Sequence, residues 1–424
     1  MLYFSIAGLA ALLTINLASS RSLLFPPSLF AAIWLFNLMV LSALGDLFLS
    51  VSDTACLVYL LGAVAFAIGG LLVLPSSRAM ASEYQDRTDE EGRRKWIHRF
   101  LDVTLLVLIA GFPYYFQIAR HVAGDTNITL MLSAIRGSEV EEQAGADPFG
   151  LIGGNLAVLA LVCAPAIFYE SNGTWPWRVR TLISVILVLA YGFLNGSKES
   201  ILIVLVLFFV SWIKSGTLRL RTLTFSASLV IALFSAGALL VNFAGASFEG
   251  SNAALRKIGN TVLAYWLGGT VAFGRIVNDP DSIKVTQNIW RFFLEIARKL
   301  GADVVVPTLH APYTVISSNP SIRFLGINVY TIYFSYYPDF GWAGVIIGMA
   351  CIGAITTAIW KRAIHGSPVY SLMFASLCVG IVLSFFAEHF LLTLNFYIKS
   401  VFFYVTLYVL IPKIVQTVKV IYSK

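Results

Sequence analysis

The residues able to do chemistry in this chain are few, and they are set in apolar surroundings. The densest set is cationic: Arg136, Lys198, Arg256, Arg275, Arg291 and Arg323, with Lys257, Lys284, Arg298 and Lys299 nearby. Guanidinium groups grip phosphate oxygens in pairs, so several arginines meeting at one cavity would suit a diphosphate. Lys198 stands in Leu194-Asn195-Gly196-Ser197-Lys198-Glu199-Ser200, a tight turn between two apolar runs. A charge so near hydrocarbon is costly unless paired or used, and Glu199 is the adjacent counter-charge. Two residues have the character of a general base. His310, in Thr308-Leu309-His310-Ala311-Pro312, titrates at about 6.5 when unperturbed. Asp339, in Tyr337-Pro338-Asp339-Phe340-Gly341, either caps the apolar helix that follows or takes a proton from an acceptor hydroxyl. Glu388-His389, at the end of a later apolar run, is a second acid/base pair.

Several chemistries are excluded by what is missing. There is no G-x-x-x-x-G-K-[ST], no G-x-G-x-x-G and no H-E-x-x-H. Cys56, Cys163, Cys351 and Cys378 lie in apolar runs without metal-ligand spacing and read as small buried hydrophobes. Neither a metal nor another cofactor is called for. Any substrate must therefore arrive already activated.

These residues need elements to position them, and the composition says which. Of 424 residues 58% are hydrophobic and only 12% charged, with mean hydropathy +0.81. Apolar runs long enough to cross a hydrocarbon core of about 30 Å recur throughout. The chain reads as an all-α polytopic integral membrane protein of about eleven spans: 2–18, 28–48, 54–74, 101–120, 150–170, 179–195, 199–214, 223–243, 341–360, 369–388 and 396–416. The first has no basic flank and no small-residue cleavage site, so it reads as a span and not a cleaved signal. Three segments follow: a bundle over 1–243, a large polar segment over 244–340, and terminal spans over 341–424.

Basic residues orient the stack. Alternate connections carry Arg21; Arg78, Arg87, Arg93, Arg94, Lys95 and Arg99; Arg178 and Arg180; Lys214, Arg219 and Arg221; Lys361 and Arg362. The positive-inside rule puts these in the cytoplasm, with the N-terminus outside and the C-terminus inside. It also accounts for the net charge of +7 without any nucleic-acid partner. The same parity places 121–149 and 244–340 on the outer face. Within the latter, Val262–Ala272 is interrupted by Gly268-Gly269 and reads as a re-entrant hairpin or an interfacial segment. Thr286–Leu300 reads as an amphipathic helix, with Ile289, Phe292, Phe293, Ile296 and Leu300 on one face and Gly301 at its C-terminal cap. Asn319–Pro338, rich in Tyr and Asn, reads as a partly buried descent into the membrane.

Asn328-Val329-Tyr330-Thr331, followed by Tyr337-Pro338-Asp339-Phe340-Gly341 and a Gly-rich helix, resembles the oligosaccharide repeat-unit (O-antigen, Wzy-type) polymerases. So do Asn195-Gly196-Ser197-Lys198 between two spans, with Lys198 where that family often has Arg, and Arg136 after an apolar stretch in the outer loop. The resemblance implies a metal-independent, inverting membrane glycosyltransferase akin to GT-C-type enzymes, multi-pass in the bacterial inner membrane. Its donor and acceptor would both be undecaprenyl-diphosphate-linked oligosaccharides, joined at the periplasmic face into lipopolysaccharide O-antigen or a related surface polysaccharide. Its partners would be membrane lipids, a flippase and a chain-length regulator. On this reading Arg136, Lys198, Arg256, Arg275, Arg291 and Arg323 hold the diphosphate, and His310 or Asp339 is the acid/base group. Two alternatives remain: a glycan ligase, served by the same residues, and a lipid-linked oligosaccharide transporter. A transporter should show charges within its spans, and the mid-span regions are nearly free of them.

Overall fold

The computed structural model describes residues 1–74, 90–123, 148–194, 198–242, 251–278, 288–306, 313–318 and 326–422. In chain order the helices are α1 (Leu2–Ser20), α2 (Pro26–Ala43), α3 (Asp53–Val73), α4 (Glu90–Ala123), α5 (Pro148–Glu170), α6 (Trp175–Leu194), α7 (Ile203–Ser215), α8 (Leu220–Asn242), α9 (Ser251–Ile276) and α10 (Arg291–Lys299). After two short strands, β1 (Thr314–Val315) and β2 (Gly326–Ile327), come α11 (Tyr337–Ile364), α12 (Pro368–Val382), α13 (Leu394–Val405) and α14 (Ile411–Tyr422). The protein is an all-α polytopic membrane protein. Among the described residues, eight helices are long and apolar enough to cross a bilayer, and 154–170, 200–215 and 262–276 are shorter apolar helices. Large apolar side chains such as Leu72, Phe225 and Phe402 face outward, as they must where lipid is the solvent.

Three expectations change. The basic run Arg93–Arg99 is not loop: α4 starts at Glu90 and carries it into the span as continuous helix. Val262–Ala272 is not a hairpin, because α9 runs unbroken through Gly268-Gly269. The two glycines are used for close approach. A Cβ on Gly268 would lie 3.0 Å from Ile327 Cδ1, and one on Gly269 would lie 2.8 Å from the Phe385 carbonyl oxygen. Of the four cysteines, Cys351 is exposed on the outward side of α11, while the other three are buried. A span with one face toward lipid can present a thiol there as readily as a methyl group.

The described chain forms two compact units that are not contiguous in sequence. The first comprises Met1–Ala81, Phe248–Arg362 and Ser376–Asn395. Within it α1, α2 and α3 pack on one another. The Met1 amino group lies 3.4 Å from Asp53 at the start of α3. At the opposite end, Lys361 Nζ donates to the carbonyls of Val73 (3.0 Å) and Leu74 (3.3 Å), and the rings of Phe25 and Trp360 lie 5.2 Å apart. The helix ends thus group in the alternation that the basic residues predict. Glycines permit a close crossing of α3 and α11: a Cβ on Gly69 of α3 would collide with the Ala350 carbonyl of α11, and one on Gly353 with the Phe66 carbonyl.

The second unit comprises Ser82–Ser247, Ala363–Ala375 and Phe396–Lys424. Its charged groups gather at one end. Arg180 holds Asp102 through one hydrogen bond, Nη2 to Oδ2 at 2.9 Å, and an ion-pair contact of Nε with Oδ1 at 2.8 Å, while lying over Trp177. Glu170, at the end of α5, faces Arg94 (3.8 Å) and His98 (3.6 Å) at the start of α4. Lys214 donates to the Tyr169 carbonyl. Here too the pairings agree with helices that alternate in direction.

Candidate functional site

The Asn328–Gly341 stretch, which carries the resemblance, is built into the first unit and not left as a free loop. Its approach is a two-residue antiparallel ladder, Thr314 opposite Ile327 and Val315 opposite Gly326. Beyond β1, the Ile316 carbonyl accepts the Leu49 N–H (2.9 Å) and Ser317 Oγ donates to the Leu47 carbonyl (2.6 Å). These bonds tie the hairpin to the turn between α2 and α3, at the end where Met1 lies. From Tyr330 to Tyr336 every residue is buried, and Ile332–Ser335 forms a single 3₁₀ turn. Of the stretch expected to be partly buried, this part is buried within the protein; 319–325 lie outside the described residues.

Aromatic packing explains why so polar a stretch can be buried. Tyr333 is fully enclosed, with ring centroids 5.0 Å from Trp34, 5.7 Å from Tyr59 and 6.1 Å from Phe273. Its hydroxyl donates to the Tyr59 carbonyl (3.2 Å), and Tyr59 in turn donates to the Thr270 carbonyl (2.7 Å). Thr270 Oγ1 donates to Asn37 Oδ1 (2.9 Å), and Asn37 Nδ2 donates to the Trp266 carbonyl (3.3 Å). This chain joins α2, α3, α9 and the Tyr330s, and a satisfied buried network of this kind rigidifies what it connects. Gly62 makes room for it, since a Cβ there would collide with the Tyr333 ring.

Glu388 sits at the same end of the unit and is only 3% exposed. Its Oε1 accepts the N–H groups of Phe390 (2.8 Å) and Leu391 (2.9 Å) and the hydroxyl of Tyr336 (3.3 Å). Its Oε2 accepts Leu391 (2.9 Å) and Leu392 (2.7 Å). Burial raises the Glu388 pKa above the usual carboxylate value, and the backbone donors only partly offset that. Burial, and then the neighbouring carboxylate, push the Tyr336 phenol well up. Both Glu388 oxygens are committed to the turn before α13 and to Tyr336. The pairing with Tyr336, across more than fifty residues, is the feature that sequence reasoning missed.

Asp339 lies in a short helical turn ahead of a break at Gly341, whose φ of 57° and ψ of −144° are closed to side-chain-bearing residues. Asp339 is therefore separated from the main run of α11 and does not stand directly before its first turn. Arg275 is exposed in the last turn of α9. The rings of Phe273 and Tyr337 lie 6.0 Å apart, and Arg275 and Asp339 each stand two residues beyond that contact. The fold thereby brings a cation and a carboxylate from distant sequence to one end of the unit.

The other cations are not all gathered there. Arg256 and Arg275 lie on one continuous helix, about 28 Å apart along its axis at 1.5 Å per residue. They cannot grip the same diphosphate. Arg291 is half-buried and bonds to Glu295 one turn on (3.2 Å). Its helix, α10, ends as expected, with Gly301 at φ 92° and Ala302 N–H closing on the Ala297 carbonyl (2.9 Å). Phe293, Ile296 and Leu300 on its apolar face are 48%, 41% and 83% exposed, so that face is open for lipid. For Lys198 and Arg256 only the backbone is described. Arg136, His310 and Arg323 lie outside the described residues. Sequence reasoning also passed over Lys399, an ammonium inside the last span. A lone Lys in an apolar run was signal enough to find it.

No known family model, curated protein or solved structure matches this chain.

Proposed function

We propose that this protein is a glycosyltransferase of the bacterial inner membrane that polymerises undecaprenyl-diphosphate-linked oligosaccharide repeat units at the periplasmic face. The observation that carries the reading is the placement of Asn328–Gly341. The segment whose residues resemble those polymerases is anchored in a rigid aromatic core, with Asp339 and Arg275 delivered to the same end. The open apolar face of α10 supports it, as a border for a lipid substrate lying in the headgroup plane.

In this reading the acceptor hydroxyl attacks the anomeric carbon of the donor sugar from the face opposite the diphosphate. The new C–O bond forms as the bond to the diphosphate oxygen breaks, and the electron pair leaves with undecaprenyl diphosphate. Arg275 stabilises the charge that develops on the leaving group. The acceptor proton passes to a carboxylate or imidazole, with Asp339 and His310 as the candidates. Because the donor is already activated, no nucleotide is consumed.

Purified protein given the cognate lipid-linked repeat units should form a ladder of polymer without nucleotide. Arg275→Ala and Asp339→Asn should remove the ladder while the protein stays folded in the membrane. Ladders that persist in both variants would discard these two assignments. Transfer of preformed polymer to a different acceptor, with no lengthening, would mark a ligase instead.

A further inference from the structure

A recess lies between α7 and α8 of the second unit and holds about 180 Å³ of space, part of it open to the surroundings. α7 runs toward the end of the unit where Lys214 donates to the Tyr169 carbonyl, the end that the basic residues assign to the cytoplasm. The turn there is fixed locally. Gly216, at φ 66°, returns its N–H to the Trp212 carbonyl (2.9 Å), and the Ser215 hydroxyl donates to the Thr217 carbonyl (3.0 Å). The Arg219 carbonyl accepts the N–H groups of Thr222 and Leu223, at 3.0 Å each. The turn thus delivers Thr217, Arg219 and Thr222 to the mouth of the recess, while Phe208, Ser211 and Trp212 line it further along α7. Phe208 stands seven residues before Ser215, about 10 Å deeper along the helix.

Polarity therefore falls with depth. At the mouth a guanidinium stands among hydroxyls; deeper in, Phe208 and Trp212 are buried, with ring centroids 5.7 Å apart. Arg219 is exposed and has no ion-pair partner among the described residues. Leu220 and Phe225 of α8 are 70% and 67% exposed, which puts lipid beside the recess. A guanidinium grips two phosphate oxygens at once, and the hydroxyls can donate to the others. Basic pockets between spanning helices on the cytoplasmic side suit anionic headgroups. A free phosphate offers the same oxygens but nothing to lie against the aromatic wall. Arg221, two residues on, is exposed and lines no part of the recess.

We propose that this recess binds an anionic phospholipid of the cytoplasmic leaflet. Arg219 holds the headgroup phosphate, Thr217 and Thr222 complete its shell, and the start of an acyl chain lies against Trp212 and Phe208. The site does not depend on the polymerase reading.

The test is native mass spectrometry of the full-length protein, delipidated in detergent and titrated with phosphatidylglycerol, phosphatidylethanolamine or inorganic phosphate. The variants are Arg219→Gln, Arg219→Lys, Arg221→Gln and Ser211→Leu, each checked for an unchanged unfolding midpoint. Wild-type protein should bind one phosphatidylglycerol in preference to phosphatidylethanolamine. Arg219→Gln should weaken that binding by about tenfold or more, the loss of one charge-assisted hydrogen bond. Arg219→Lys should weaken it less, because the charge remains. Ser211→Leu, which fills the recess and leaves every charge in place, should weaken it as well, whereas Arg221→Gln should change it little. Equal affinity in the wild type and Arg219→Gln would overturn the site. Equal losses in Arg219→Gln and Arg221→Gln would replace it with diffuse attraction to a basic end, a comparison that still decides if Ser211→Leu fails to fold. Full binding by a folded Ser211→Leu would remove the recess from the account. Phosphatidylethanolamine bound as tightly as phosphatidylglycerol would overturn the choice of an anionic lipid. Arg219-dependent binding of inorganic phosphate, with none of phosphatidylglycerol, would make the ligand a free phosphate.

Discussion

Replacing Glu388 tests whether this buried carboxylate holds the site in place or performs the chemistry. In Glu388→Ala the N–H groups of Phe390, Leu391 and Leu392 and the Tyr336 hydroxyl lose their acceptor. Four donors sharing one acceptor do not add, so the expected loss of stability is about 3 kcal/mol, the upper end of the cost of leaving a buried donor unsatisfied. Glu388→Gln keeps one acceptor oxygen, but its amide nitrogen must face either Leu392 or Phe390. That variant should lose about 1–2 kcal/mol, one buried bond to a charged group. The assay is reversible unfolding in mixed micelles of dodecyl maltoside and SDS, followed by circular dichroism. Midpoints should fall in the order wild type, Glu388→Gln, Glu388→Ala. Polymer formation at a temperature where all three are folded gives the second readout. A Glu388→Gln variant as stable as wild type yet wholly inactive would refute the positioning role and make Glu388 the base. The pH dependence has a fixed sign. A carboxylate whose folded pKa is raised contributes stability that is present at acid pH and lost as pH rises through the folded value. Wild-type stability should therefore decline relative to Glu388→Gln as pH rises from about 4.3, the unfolded carboxylate value, through that raised pKa.

Two further substitutions probe the scaffold. Gly69→Ala would place a methyl group against the Ala350 carbonyl at the α3–α11 crossing and should cost about 1–3 kcal/mol by overpacking, read as a lower unfolding midpoint. Gly341→Ala meets no neighbouring atom but would have to hold a backbone conformation that only glycine adopts readily, at a cost of about 1–3 kcal/mol, and by relaxing the break it should move Asp339. Reduced polymer formation with a small change in midpoint would fit that account; unchanged activity would show that the break does not set the position of Asp339.

The sequence by itself determined the fold class, because about twenty apolar residues in a row have one stable form in lipid, a helix that satisfies its own backbone. Basic residues also set the alternation of helix ends, which the contacts of Met1 with Asp53 and of Lys361 with Val73 bear out within the first unit. Gly301 at the end of α10 was legible for a local reason: left-handed backbone favours glycine whatever lies around it. Tertiary structure decided what depends on distant partners. Gly268-Gly269 read as a break, and only the approach of Ile327 and the Phe385 carbonyl shows why glycines stand in an unbroken helix. Arg256 and Arg275 read as one cationic set until a continuous α9 held them apart. Glu388 read as half of an acid/base pair with its neighbour in sequence, and folding instead gave it Tyr336 and three backbone donors. A side chain's chemistry follows from what surrounds it, and here its surroundings come from segments that lie far apart in the chain.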